Sequence, residues 1–316
     1  MKVGMIGLGR MGGNMAERLR RAGHEVVGYA HSPVRRDVDS LPALVEALGA
    51  GPRVLWSMVP AGEATESTVT ELAGLLAAGD IVVDGGNSNY RDSIRRSELL
   101  AERGVGWVDA GTSGGVWGLD NGYALMVGGT DEHVAAAWPA LEALSPGGGE
   151  GLAHVGPPGA GHFTKMVHNG VEYGMMQAFA EGYALLEASE LGIDVPAGLR
   201  SWQHGSVVRS WLLDLLVKAL EESPGLTDIA PRAADSGEGR WTVEEAVRLG
   251  VAVPAISASL FARFVSQDDD GAPMRAIAAL RNQFGGHAMV RLEAQEPKDP
   301  IDPVHPGQAP TGEGPK

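Results

Sequence analysis

The sequence KVGMIGLGRMGG, residues 2–13, contains the pattern that decides the fold of the chain. Its apolar start predicts a buried strand, and Gly7, Gly9 and Gly12 follow in the spacing G-x-G-x-x-G. In such a turn the first glycine permits a tight bend, the second lets backbone approach a pyrophosphate, and the third lets helix and strand pack closely. Ordinary glycine turns can share this spacing, but here it follows a strand and opens a helix. We therefore predict a dinucleotide-binding βαβ unit.

Short apolar segments continue to alternate with helical stretches through the first half of the chain. Further strands are predicted at HEVVGYA (24–30), RVLWSMV (53–59), DIVVD (80–84) and VGWVDA (105–110). Repeated βαβ units build a parallel sheet with helices on both faces. The expected fold is therefore an α/β Rossmann-type doubly wound sheet.

The pattern changes after Gly161, where helical periodicity replaces strands. Helices are predicted over 162–190, 198–222, 242–249 and 254–267. We therefore predict a dinucleotide-binding domain over 1–161 and an all-α C-terminal domain over 162–291. The Pro-rich, polar residues 292–316 predict a disordered tail.

The composition excludes several classes of protein. The chain has 316 residues, a formal net charge of −15 and no cysteine. It therefore lacks the basic balance of nucleic-acid binders and can form neither disulfides nor catalytic thiolates. No apolar run reaches the roughly 18 to 20 residues that span a bilayer, and a strand beginning at Lys2 leaves no room for a signal peptide. We expect a cytoplasmic protein with no nucleic-acid or membrane partner.

The end of the second predicted strand bears on the choice of cofactor. An acidic residue at this point usually binds the ribose 2′-hydroxyl of NAD, but the sequence YAHSPVRR (29–36) has Ala30 there. The polar and basic side chains nearby could instead receive a 2′-phosphate; they are His31, Ser32, Arg35 and Arg36. This pattern favours NADP over NAD, although two solvated surface arginines would leave NAD open.

Three loops rich in small polar residues follow successive strands of the predicted sheet. They are MVPAG (58–62), DGGNSNYRDS (84–93) and DAGTSGGVWGLDNG (109–122). Each could be a plain βα loop, but ligands of doubly wound sheets bind beyond the carboxyl ends of the strands. Three such loops at one sheet edge therefore predict a shared binding site.

The helix KMVHNGVEYGMMQ (165–177) carries an unusual polar face. One face of about 140° holds the side chains at positions i, i+3, i+4, i+7 and i+8, which are Lys165, His168, Asn169, Glu172 and Tyr173. We expect Val167, Val171 and Met175 to point elsewhere and pack. An amphipathic surface helix is the simpler interpretation, but its polar face would normally carry long charged side chains in i,i+4 pairs.

These motifs together resemble the short form of 6-phosphogluconate dehydrogenase (decarboxylating), within the β-hydroxyacid dehydrogenase superfamily. The resemblance runs from Met1 to about Leu292 and rests on GLGRMG, GGNSNYRDS, GTSGGVWGLDNG, GAGHFTKMVHNGVEYGMMQ, LFARFVS and RNQFGGH. It implies oxidative decarboxylation of 6-phosphogluconate to ribulose 5-phosphate and CO2 with reduction of NAD(P), in the pentose phosphate pathway or in gluconate utilisation. It implies no metal.

The resemblance also implies roles for individual residues. Lys165 matches the general base and Glu172 the general acid, and His168 and Asn169 match ligands of the substrate's hydroxyl and carboxylate groups. The implied substrate-binding residues are Asn87, Ser113, Gly114, Gly115, Tyr173, Arg263, Arg281 and His287. The implied cofactor-binding residues outside the 2′ region are Gly7, Gly9, Arg10, Met11, Gly12, Met58, Val59, Pro60 and Asn87. Arg281 and His287 are expected to come from the neighbouring subunit of a homodimer or homotetramer.

One segment departs from the pattern of the long form. In DSGEGRWT, Ser236 and Glu238 stand where the long enzyme has lysine and threonine, and a carboxylate beside a phosphate is unfavourable. Two alternatives also remain. A non-decarboxylating dehydrogenase of the 3-hydroxyisobutyrate type would share Lys165 and Asn169 but would not need Glu172 and Tyr173. A non-catalytic dinucleotide-sensing protein would need none of the polar set.

Overall fold

The computed structural model describes residues 1–147, 149–285 and 287–290. The described residues fall into two compact units, one over residues 1–267 and a second that begins at Asp268. In the first unit the strands are β1 Lys2–Ile6, β2 Glu25–Tyr29, β3 Val54–Ser57, β4 Ile81–Asp84, β5 Gly106–Ser113, β6 Ala124–Gly129 and β7 Leu152–Gly156. The predicted tail at 292–316 lies outside the described residues.

The helices of the first unit follow the strands and then continue without them. They are α1 Arg10–Arg21, α2 Leu41–Leu48, α3 Glu63–Leu75, α4 Tyr90–Ala101, α5 Gly118–Asn121, α6 Asp131–Leu144, α7 Ala160–Glu187, α8 Val195–Trp202, α9 Trp211–Glu222, α10 Glu238–Leu249 and α11 Pro254–Gln267. The second unit contains α12 Ala272–Gly285, which helical periodicity did not predict. Among the described helices, none has the length and apolar character needed to cross a membrane.

One sheet in the order β2-β1-β3-β4-β5-β6-β7 organises the first half. Strands β1 to β5 pair in parallel, which confirms the predicted Rossmann-type sheet followed by helices. A wholly parallel sheet was the wrong expectation, because β6 runs antiparallel to β5. A parallel return needs a crossover of about a dozen residues or more, whereas the short connection 114–123 contains only a 3-10 turn and α5. Strands β6 and β7 were not predicted.

Both faces of the sheet are buried, with side chains alternating between two cores. Met5 and Trp56 join the core beneath α1 and α6, whereas Ile6 and Leu55 join the core beneath α2 and α3. The sheet is thus fixed from both sides. Its carboxyl edge, where the polar loops emerge, is the place where a ligand can approach.

Helix α7 crosses the sheet at very short distance, which brings its polar residues to the loop after β5. A Cβ added to Gly111 would lie 2.4 Å from Lys165 Cβ, and one added to Gly161 would lie 2.4 Å from the Asp109 carbonyl oxygen. Glycine at these two positions therefore permits the approach. The predicted continuous helix over 198–222 was wrong, because residues 203–210 separate α8 from α9. The side chain of Ser210 caps the N-terminus of α9.

Candidate active site

The glycine turn after β1 has the backbone geometry that a dinucleotide requires. Gly7 has φ +89°, and a Cβ on Gly12 would lie 1.9 Å from the Gly7 carbonyl oxygen, whereas one on Gly9 would meet nothing within 4 Å. Gly9 precedes α1 without a side-chain cap, so the first N–H groups of that helix stay available to an anion. Exposed Arg10 begins α1. These residues fit the pyrophosphate of a dinucleotide.

The loops after β3 and β2 border this turn. The backbone of Met58 packs against Gly7, since a Cβ added to Gly7 would lie 2.7 Å from the Met58 carbonyl oxygen. Half-buried Val59 and exposed Pro60 follow. His31 packs edge-on against Tyr29 with 5.8 Å between ring centroids.

Asp37, the first carboxylate after β2 along the sequence, is already bound by donors of the protein itself. Asp37 Oδ2 accepts a hydrogen bond of 2.7 Å from the Gly28 amide and forms an ion pair of 3.1 Å with Arg20. Ser32 precedes the 3-10 turn Pro33–Arg35. The side chains of Arg35 and Arg36 have no hydrogen-bond or ionic partner within the described part of the chain, so both guanidinium groups can receive a phosphate.

A cleft of about 1170 Å³ gathers most of the predicted substrate residues. Its lining includes Lys165, His168, Asn169 and Glu172 from α7, Ser113, Gly114 and Gly115 after β5, Asn87 after β4, and Met11 of α1. Two sheet-edge loops and two helices thus converge on a single cavity. The glycine turn borders it through Met11.

Two buried aspartates, which sequence reasoning missed, hold these loops in place. Asp84 accepts hydrogen bonds from the Gly86 amide at 3.0 Å and from Ser88 Oγ at 2.6 Å, on either side of Asn87. Asp109 accepts from the Gly159 amide at 2.7 Å and the His162 amide at 2.9 Å. Asp109 therefore caps the N-terminus of α7 from the sheet. A sequence signal existed, because each aspartate follows a run of buried strand residues and is followed by small residues.

The polar groups of α7 form a short row inside the cleft. Burial lowers the pKa of Lys165, and the carboxylates of Glu172 and Glu238 oppose that shift. Its Nζ lies 3.4 Å from His168 Nδ1, which lies 3.1 Å from Asn169 Oδ1 and 3.8 Å from Glu172 Oε2. A buried amine with a lowered pKa is suited to act as a base near neutral pH.

The apolar side chains of α7 do not pack as we expected. Val167, Val171 and Met175 are 37%, 49% and 38% exposed and line the same cleft as the polar row. Their positions on the helix lie beside His168 and Glu172, and the described chain covers them only in part. One wall of the cleft is therefore apolar, and Trp211 extends it.

Tyr173 and Arg263 are not part of the described lining of this cleft. Tyr173 is 4% exposed and its hydroxyl receives a hydrogen bond of 3.0 Å from the Ser236 amide. The Arg263 guanidinium stacks 3.4 Å from the centroid of the Tyr173 ring. Ser236 Oγ donates to Glu238 Oε2 at 2.6 Å, and Glu238 is buried as the first residue of α10. The predicted phosphate contacts thus sit among two carboxylates, those of Asp235 and Glu238.

Arg281 and His287 belong to the second compact unit. Arg281 is exposed on α12, and the carbonyl oxygen of His287 accepts a hydrogen bond of 2.9 Å from Asn282 Nδ2. Their predicted role toward a neighbouring subunit stays a prediction.

The glycine turn, the sheet-edge loops and the buried lysine facing a carboxyl group together define a dehydrogenase that uses a nicotinamide dinucleotide. Residues 2–156 match the NAD binding domain of 6-phosphogluconate dehydrogenase, and residues 161–281 match the C-terminal domain of the same enzyme. The chain therefore belongs to the 6-phosphogluconate dehydrogenase family.

Individual relatives agree with this assignment. The NAD(+)-dependent, decarboxylating 6-phosphogluconate dehydrogenase of Haloferax volcanii is 41% identical over 303 residues, covering 93% of this chain and 100% of the relative. The Plasmodium falciparum 6-phosphogluconate dehydrogenase superposes with a TM-score of 0.78 at 26% identity, over 94% of this chain and 67% of that one. The 3-hydroxyisobutyrate dehydrogenase of Mycobacterium tuberculosis shares the fold, with a TM-score of 0.67 at 24% identity over 87% and 98% of the two chains.

Proposed function

We propose that this protein converts 6-phosphogluconate to ribulose 5-phosphate and CO2 while reducing NAD(P). The observation that carries the proposal is the placement of Lys165 and Glu172 in one cleft, on one side of α7 and two turns apart. Family membership supplies the substrate class. Oxidation of the alternative substrate, 3-hydroxyisobutyrate, without decarboxylation would form no enediol and would leave no carbon for Glu172 to protonate.

The first step needs a base at the C3 hydroxyl of the substrate. Bound NAD(P) supplies the acceptor for the C3 hydride. Neutral Lys165 takes the hydroxyl proton, and its low exposure keeps water from competing for it. Because burial lowers the pKa of Lys165, the neutral amine is populated at lower pH than for an exposed lysine, and activity falls as pH drops through that pKa.

The second step releases CO2 and then needs an acid. Protonated Lys165 returns its proton to the C3 ketone oxygen as the C1–C2 bond breaks, which leaves an enediol. Protonated Glu172 then delivers a proton to the former C2, while Lys165 takes the proton of the C3 hydroxyl. His168, Asn169, Asn87 and the loop Ser113–Gly115 are assigned to binding the hydroxyl and carboxylate groups.

The family resemblance assigns the phosphate end of the substrate to Tyr173 and Arg263, which lie outside the described cleft lining and near the carboxylates of Asp235 and Glu238. It also assigns Arg281 and His287, contributed by a neighbouring subunit. A homo-oligomer is part of this proposal because Val167, Val171 and Met175 stay 37–49% exposed in the cleft, and a neighbouring subunit would cover this apolar wall. Within this proposal, residues 1–161 form the cofactor domain and 162–291 the substrate domain.

The direct test of the function compares two substrates. We expect initial rates of NAD(P)H formation with 6-phosphogluconate to exceed those with 3-hydroxyisobutyrate at equal concentration, and CO2 to be released. Turnover of 3-hydroxyisobutyrate alone would overturn the proposal. Binding of NAD(P) without turnover of either substrate would instead favour a sensing protein.

We further propose that NADP is the preferred cofactor, because Asp37 is tied to Gly28 and Arg20 while Arg35 and Arg36 are unpaired among the described residues. Replacing both arginines with alanine should lower kcat/KM for NADP by about tenfold or more, equivalent to about 1.4 kcal/mol, and change that for NAD by less than about threefold. Initial rates with each cofactor measure this. Arg103→Ala, an exposed arginine after α4, is the control. A wild-type ratio favouring NAD by about tenfold would contradict the proposal.

A further inference from the structure

The proposed reaction leaves its two proton-transfer groups in the wrong state for the next turnover. Lys165 begins neutral and Glu172 begins protonated. After the substrate has gained its proton and formed the ketone, Lys165 is protonated and Glu172 is ionised. Together the two groups carry as many protons after the reaction as before it, but the proton is now on the wrong group. One proton must therefore pass from Lys165 to Glu172 before the enzyme can act again.

Lys165 and Glu172 do not exchange this proton through a direct contact. Among the described residues, the two side chains form no ion pair with each other, and Lys165 Nζ has a single hydrogen-bonding contact, His168 Nδ1 at 3.4 Å. The same Nδ1 lies 3.8 Å from Glu172 Oε2. Lys165 is 7% exposed, so its proton has little access to water.

The described lining of the cleft contains no other titratable side chain that could carry the proton. Lys165, His168 and Glu172 are its titratable members. Glu238 of α10 acts on Lys165 from outside this lining, through its charge. A ring nitrogen of imidazole can accept a proton from an ammonium group and donate one to a carboxylate.

We propose that His168 is the relay that resets the site between turnovers, an inference that rests on the proposed function. The Nδ1 lone pair of neutral His168 takes a proton from the Lys165 ammonium group, breaking one N–H bond and forming another. The resulting imidazolium gives the Nδ1 proton to the Glu172 carboxylate, which forms its O–H bond. Asn169 Oδ1, 3.1 Å from Nδ1, accepts a hydrogen bond from the imidazolium and stabilises it.

A relay used after the chemistry has a kinetic signature that a purely structural or binding residue lacks. In His168→Asn, whose amide can occupy the place of Nδ1, rapid mixing with saturating 6-phosphogluconate and NAD(P) should give a burst of one NAD(P)H per site. Because His168 is also assigned to binding the substrate, the burst rate should fall, but by much less than the steady-state rate that follows it. The following steady-state rate should fall by about 10²-fold, the lower range for acid–base groups, and added imidazole should restore it.

His204→Asn, which replaces an exposed histidine after α8, is the matched control and should leave both phases unchanged. Equal losses in the burst and the steady state of His168→Asn, or a steady state that imidazole does not raise, would overturn the relay. Failure of the wild-type protein to form NAD(P)H from 6-phosphogluconate would instead overturn the proposed function, so the two failures are distinguishable.

Discussion

Replacing Lys165 with methionine should lower kcat for NAD(P)H formation by about 10³-fold, within the range of general acid–base groups. Methionine keeps much of the lysine stem but has no amine to accept the C3 hydroxyl proton. Steady-state assays with 6-phosphogluconate measure the loss. Lys2→Met, which removes a lysine that pairs with Glu25 at 2.9 Å, is the matched control and should retain wild-type activity.

The same substitution should not destabilise the folded protein. Because burial lowers the pKa of Lys165, the unfolded chain holds its proton at pH values where the folded chain has lost it. Stability therefore decreases as pH falls through this interval, and methionine removes that cost. Thermal unfolding should show a midpoint at or above that of the wild type. Retained activity in a folded Lys165→Met protein would contradict the assignment of the base.

Replacing Asp109 with alanine should impair both stability and turnover. The change leaves the Gly159 and His162 amides, at 2.7 and 2.9 Å from the carboxylate, without their buried acceptor. The free energy of unfolding should fall by about 3 kcal/mol. Because these bonds fix the start of α7, kcat should also fall by about 10²-fold through misplacement of Lys165, with a smaller change in KM.

Asp80→Ala separates the two effects of the Asp109 substitution. Asp80 is also buried and accepts from the backbone amides of Arg53 and Ala77, each at 2.9 Å, at the amino edge of the sheet. Its loss should lower stability similarly while leaving kcat close to the wild-type value. Asp109→Asn, which keeps one acceptor oxygen, should recover part of the activity. Equal kcat values for Asp109→Ala and Asp80→Ala would exclude a positioning role for Asp109.

Much of the site could be predicted from local sequence. The glycine turn is recognisable from the spacing of its glycines, because backbone approaches Gly7 and Gly12 too closely for a side chain. The loops with Asn87 and Ser113 follow buried strands, and parallel strands bring their carboxyl ends to one edge. Helical spacing likewise placed Lys165, His168 and Glu172 on one side of α7.

The remainder depends on contacts between distant segments. Helical spacing assigned Tyr173 to the same face as Lys165, but α10 covers Tyr173, since a Cβ on Gly239 would lie 2.4 Å from its ring. The spacing also could not show that Val171 would stay 49% exposed in the wall of the cleft. The antiparallel direction of β6 follows from the short connection 114–123, which cannot cross the sheet. The pattern of apolar residues does not indicate the direction of a strand.

The stoichiometry of products tests the central claim most directly. With 6-phosphogluconate carrying a label at C1 and with NAD(P), the released labelled CO2 and the NAD(P)H formed should increase together in a one-to-one ratio. That ratio is expected because Lys165 and Glu172 serve consecutive steps on one bound substrate. NAD(P)H formed without labelled CO2 would contradict the account, since it would show oxidation without the decarboxylation assigned to this site.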